Sequence, residues 1–166
     1  MTEPRQLRTY AYVNRPYETV RAALHQRPLE ILKQATTSAG ARASSLAASL
    51  RVGVGGIQVG VGLSVQVKAV RDEDGVAGLG PVTRVQLGWE AANAASFFPV
   101  MSAELSAWPL SASETQLEIE GTYRPPLGAV GTAIDAVVGH RIADASVHTL
   151  LEDIVEQLRR ELPSGG

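Results

Sequence analysis

The longest regular pattern in the chain is a period-two alternation. Leu46, Ala48, Leu50 and Val52 alternate with Ala47, Ser49 and Arg51, and Gly55-Gly56 then marks a two-residue hairpin turn. Beyond it Ile57, Val59, Val61, Leu63, Val65, Val67 and Ala69 alternate with Gln58, Gly60, Gly62, Ser64, Gln66 and Lys68. Side chains on a strand point to alternate faces, so this predicts a long strand with one apolar and one wet face. Gly60 and Gly62 fall on the wet side, where glycine lets a sheet bend strongly.

Three further strands read the same way. Val85, Leu87 and Trp89 oppose Arg84, Gln86 and Glu90, while Met101, Ala103, Leu105 and Ala107 share one face. Leu117, Ile119, Gly121 and Tyr123 face inward against Gln116, Glu118, Glu120 and Thr122. Trp108 has the wrong parity for the inner face, which predicts either a surface aromatic, as at an interface, or a bulge before Pro109. The segment Asp72 to Pro81 reads as a turn. A first strand is expected over Leu7 to Asn14, from its tyrosines and β-branched residues.

Helical spacing brackets these strands. Pro16 suits a first helical position, with Asn14 as N-cap, and Tyr17, Val20 and Leu24 follow at helical intervals. A second short helix from Pro28 carries Leu29, Leu32 and Ala35, with Ile31 beside them; Thr36 to Ser44 reads as a loop. A long helix is expected from Thr132 to Glu161. Its inner stripe, at four-three spacing, runs Ala133, Val137, His140, Asp144, Val147, Leu151, Ile154 and Leu158. The polar strand faces meet water, and this helix covers the other face. The fold class is therefore α+β: a curved antiparallel sheet wrapped around a long C-terminal helix, with two short helices after the first strand. Residues 1–166 form one domain, and 163–166 a flexible tail.

Composition narrows the function. A 45% hydrophobic, 19% charged chain suits a globular core, and a net charge of −2 offers no basic field for nucleic acid. No cysteine is present, which excludes disulfides, thiolate metal sites and cysteine nucleophiles. The first residues lack an apolar signal core, and the weakly apolar stretch Pro126 to Gly139 is short and broken by Asp135. A cytoplasmic protein with no membrane span is expected. Gly53-Val54-Gly55-Gly56 lacks the spacing of a phosphate-binding loop, and no G-x-S-x-G occurs.

The order of elements, with Thr115-Gln116-Leu117-Glu118-Ile119 running into Gly121-Thr122-Tyr123-Arg124-Pro125-Pro126-Leu127-Gly128 and then His140-Arg141, resembles the SRPBCC superfamily. This superfamily comprises the START, polyketide-cyclase and pollen-allergen-like helix-grip proteins. The resemblance implies a cavity between the concave sheet and the long helix. It implies no fixed catalytic set, because members range from lipid carriers to cyclases to chaperone-associated modules.

The chemistry expected inside that cavity is sparse. His140 and Asp144 lie one turn apart on an otherwise apolar stripe, where they could anchor a ligand's hydroxyl, carbonyl or amine. In an enzyme, His140 would shuttle protons and Asp144 would orient it. The structural alternative pairs Asp144 with an arginine such as Arg84 or Arg124. Trp89, Met101, Tyr123 and Val137 would line the cavity, or simply pack the core. No metal is expected: His140 and His148 stand about 12 Å apart along a helix and about 80° apart around it. No cofactor is expected either. His148 would sit at the helix edge and His25 on a surface helix. Pro125 to Gly128 and Gly131, with the Asp72 to Pro81 turn, could gate one end. Three readings follow: a carrier of a hydrophobic or amphipathic small molecule (lipid- or polyketide-like), a cyclase- or dehydratase-like enzyme, or an interaction domain with a filled core. Whether the chain is a monomer or a homodimer is left open.

Overall fold

A computed structural model describes residues 5–37, 63–75, 78, 80–91, 100–124 and 136–164. Five strands, β1 (Arg5–Val13), β2 (Leu63–Glu73), β3 (Val82–Ala91), β4 (Val100–Pro109) and β5 (Thr115–Arg124), form one antiparallel sheet in the order β1-β5-β4-β3-β2. Helix α1 (Tyr17–Gln26) and helix α2 (28–37) follow β1, and helix α3 (Ala136–Glu161) closes the chain. This is the helix-grip arrangement. The expected hairpin at Gly55-Gly56 and the stretch Pro125 to Gly131 lie outside the described residues.

The inner face is built as the alternation requires. Val85, Leu87 and Trp89, Leu105 and Ala107, and Leu117, Ile119 and Tyr123 are all buried to 1% exposure or less. β2 departs from strict alternation. Val67 pairs with Leu87 but Ala69 pairs with Gln86, so Lys68 is an extra residue and the strand's parity flips. Ala69 therefore leaves the apolar face on which strict alternation placed it. Val70 and Asp72 come inward, and Arg71 and Glu73 go outward. On the outer face Arg71 and Arg84 each bond both Glu73 and Glu104, at 2.7–3.0 Å, closing a four-membered ring of charges across three strands.

Gly121 allows β4 and β5 to meet closely. A Cβ at Gly121 would lie 2.6 Å from both the Ala103 Cβ and the Ser102 carbonyl oxygen. Gly121→Ala is expected to cost about 1–3 kcal/mol, the usual range for overpacking. Adding Ala103→Gly should recover part of that loss in urea denaturation; strict additivity of the two changes would rule out the contact as its cause.

The helices differ from expectation at their ends. Pro16 stands at the N-cap of α1 with no side-chain cap, and its carbonyl accepts from the Thr19 and Val20 amides and the Thr19 hydroxyl. Asn14 does not cap the helix; its side-chain oxygen accepts from Arg15 and Arg159. In α2, Ile31, Leu32 and Ala35 are buried, while Leu29 is 40% exposed, so Ile31 takes the place assigned to Leu29. Thr36 belongs to α2 rather than to a loop.

The α3 stripe is rotated from the one drawn on the sequence. Ala143, Val147, Leu150, Leu151, Ile154 and Leu158 are buried, and Asp144 is exposed. Strict four-three steps drift against a pitch of 3.6 residues per turn, and over the first turns that drift moves the stripe's centre from Asp144 to Ala143.

Candidate functional site

Two ties fix where the helices stand over the concave face. Arg27 Nη2 meets Glu161 Oε2 at 2.6 Å, joining the α1–α2 corner to the C-terminal end of α3. The Trp89 indole N–H donates to Thr36 Oγ1 at 3.0 Å, joining the far end of α2 to β3. α3 packs chiefly on β1 and β5. β3 lies three strand steps from β1, or roughly 14 Å at ~4.8 Å per step. The ten residues of α2 rise about 15 Å. The two helices therefore part from a common corner and diverge over β5, β4 and β3. The sheet floor beneath them is apolar, with Leu87, Leu105 and Ile119 fully buried in the core.

Tyr123 sits at one end of that floor. It is 1% exposed and lies opposite Arg5 in the β1–β5 register. Burial raises the phenol above its ordinary pKa, and the Asp144 carboxylate adds to the rise, against an opposing hydrogen bond and charge from Arg5. The hydroxyl thus stays protonated at neutral pH and is a donor rather than a base. Tyr123, Arg5 and Asp144 form a polar group about two turns into α3.

Of the residues singled out from sequence, Trp89 and Tyr123 are on the inner face and buried, and Asp144 is exposed beside Tyr123. The backbone of Met101 lies in β4 and that of Val137 and His140 in α3; their side chains fall outside the described part. Arg84, one suggested partner of Asp144, is engaged with Glu73 and Glu104 on the outer face. Trp108 continues the β4–β5 register opposite Gln116 without a bulge and is half-buried.

Three polar features went unread in the sequence. Arg15, 7% exposed, donates to the Arg159 and Leu162 carbonyls at the end of α3. Asp72 accepts from Arg21, His25 and Thr83, and Thr83 in turn bonds the Tyr17 hydroxyl at 2.7 Å. His25 is therefore engaged with the sheet. Ser146 and Gln157 are buried on α3. None of these carries a local motif, because each depends on a contact distant in sequence. His148 does sit at the helix edge, 3.4 Å from Thr9 Oγ1 and 3.0 Å from Glu152.

A hollow of about 420 Å³ opens on the opposite, outer face, lined by Gln6, Lys68, Gln86, Ser102, Glu104 and Glu120 among others. It arises where the short Ser102 side chain stands among long ones, and it is open to solvent. Among the described residues no three His, Asp or Glu side chains gather as metal ligands, and no helix is long and apolar enough to cross a membrane.

Solved structures similar to this chain include the Zhui aromatase/cyclase from Streptomyces sp. R1128, with 14% identity, 99% of each chain covered and a TM-score of 0.48. Norcoclaurine synthase from Thalictrum flavum, in complex with dopamine and hydroxybenzaldehyde, matches with 9% identity over 98% of this chain and 90% of that one, with a TM-score of 0.45. Protein Ms6760 from Mycobacterium smegmatis matches with 10% identity over 99% and 98%, with a TM-score of 0.42. Likeness at this level carries nothing about the chemistry of this chain. No protein-family model matches the sequence, and no curated protein does.

Proposed function

We propose that the protein binds a hydrophobic or amphipathic small molecule between α2, α3 and the concave face of the sheet. The observation that carries this reading is the buried, protonated Tyr123 hydroxyl beside Arg5 and Asp144, at the end of an apolar floor. Small-molecule sites combine an apolar wall with a few convergent polar groups, and that is the composition here. The apolar body of the ligand would lie over Leu87 and Leu105, toward Trp89. A carbonyl or hydroxyl would accept from Tyr123. Val137 and His140 of α3 and Met101 of β4 would complete the lining in this proposal.

Native mass spectrometry of gently purified protein tests this reading. A discrete bound small-molecule mass, released on denaturation, is the expected result. Tyr123→Phe should then weaken retention of that molecule about three- to tenfold, the effect of one hydrogen bond of about 1 kcal/mol. A clean unliganded mass, with no thermal shift across fatty acids, fatty alcohols, alkylamines and aromatic polyketides, would discard the reading.

A further inference from the structure

The α3 flank that carries Ser146, Asp153 and Gln157 holds a half-buried acid with one oxygen turned inward. Among the described residues, Asp153 Oδ2 is buried and has no hydrogen-bond partner. Its surroundings are polar without supplying a donor to it. Ser146 is fully buried, and Gln157, 4% exposed, turns its amide toward Glu161 Oε1 at 3.3 Å. A buried carboxylate oxygen without a donor is costly, and native structures rarely keep one unless something arrives to satisfy it.

The helix geometry gives the direction. His148, which touches Thr9 of β1, marks the side of α3 that faces the sheet edge. Asp153 follows five residues later, so it points about 140° away around the axis. It therefore lies on the flank of α3 away from β1. α2 stands over β3 in that direction, held there by the Thr36–Trp89 bond. Asp144 lies on the β1 side, nine residues earlier and roughly 13 Å along the helix, so the two acids serve different places.

We infer that Asp153 receives a cationic donor from the ligand, which makes the preferred class an amphipathic amine: an apolar body carrying a protonated nitrogen. This rests on the binding site proposed above and specifies its chemistry. A neutral hydroxyl would satisfy the oxygen's hydrogen bond, but a cation also makes that bond charge-assisted and so stronger.

The probes are decylamine, decanol and decanoate, titrated below their aggregation limits and followed by calorimetry. Wild-type protein is expected to bind decylamine at least about tenfold more tightly than decanol, with decanoate weakest. Asp153→Asn should abolish the amine preference and leave decanol binding unchanged, whereas Asp144→Asn should leave the preference in place. The unliganded Asp153→Asn protein should melt no lower than wild type, because the replaced charge has no protein partner to lose. Equal affinity for the amine and the alcohol, or a preference that survives Asp153→Asn, would overturn the inference and leave the binding site standing. Marked destabilisation of Asp153→Asn would assign Asp153 a structural role and also overturn it. Failure of all three probes to bind would remove the site and the inference together.

Discussion

Arg15→Ala is expected to lower stability by about 3 kcal/mol and the melting temperature by about 6–12 °C. Arg15 lies at the junction of β1 and α1 but acts on the far end of the chain. Its Nε donates to the Leu162 carbonyl at 2.8 Å, its Nη2 to the Arg159 carbonyl, and its Nη1 to the Asn14 carbonyl at 2.7 Å. The last carbonyls of any helix lack intrahelical donors, and a cation at that end also meets the negative end of the helix dipole. The Arg15 carbonyl in turn accepts from Thr115 Oγ1 at 2.8 Å, tying β5 into the same knot. Removing the guanidinium would leave several part-buried acceptors without its donors, and this sets the size of the effect. Arg15→Lys should recover less than half of the loss, since an ammonium cannot span carbonyls that the planar fork reaches at once. Urea unfolding followed by circular dichroism measures both variants. Equal stability of Arg15→Ala and wild type would mean that α3 is held by its apolar stripe alone.

Asp72→Asn should cost about 2 kcal/mol at neutral pH, with the difference shrinking in acid. Arg21 holds the Asp72 carboxyl well below the usual carboxylate range, mainly through its hydrogen bonds; His25 and Thr83 add to this and desolvation opposes it. A depressed native pKa means that the unfolded chain takes up the proton first, at a pH near 4. The contribution of Asp72 is therefore fully present above that pH and declines as pH falls toward the native value. The side chain is 32% exposed, so solvent screening keeps the figure modest despite the number of partners. Stability curves of wild type and Asp72→Asn should run apart above pH 5 and converge below pH 4. A constant gap across that range would locate the cost in packing around Thr83 and Tyr17 instead of in the charge.

The same two residues mark the limit of what the sequence discloses. The alternation in β3, β4 and β5 is legible because an inward side chain on a half-buried strand must be apolar whatever covers it. The choice of Trp89 and Tyr123 as inner-face residues follows from parity alone. β2 is legible only as far as Val67. The bulge at Lys68 leaves no composition signal, since Val70 and Arg71 read plausibly on either face. Asp144 reads as part of the inner stripe because a four-three spacing and a 3.6-residue pitch diverge by only one position over a few turns. About two turns into α3 that one position separates the buried Ala143 from the exposed Asp144.

The sequence by itself determined the α+β class, the element order, which strand residues face inward, and the supply of an apolar concave face. These are set by local period and by the need to bury apolar surface. Only the tertiary structure decided which polar groups meet. Arg15 reaches Arg159, Thr36 reaches Trp89, Asp144 acts on Tyr123, and one oxygen of Asp153 is buried without a donor. Each depends on where distant segments converge, and a polar side chain reads the same in sequence whether water or protein satisfies it. The physical difference arises on burial, when the lost water must be replaced by a named partner.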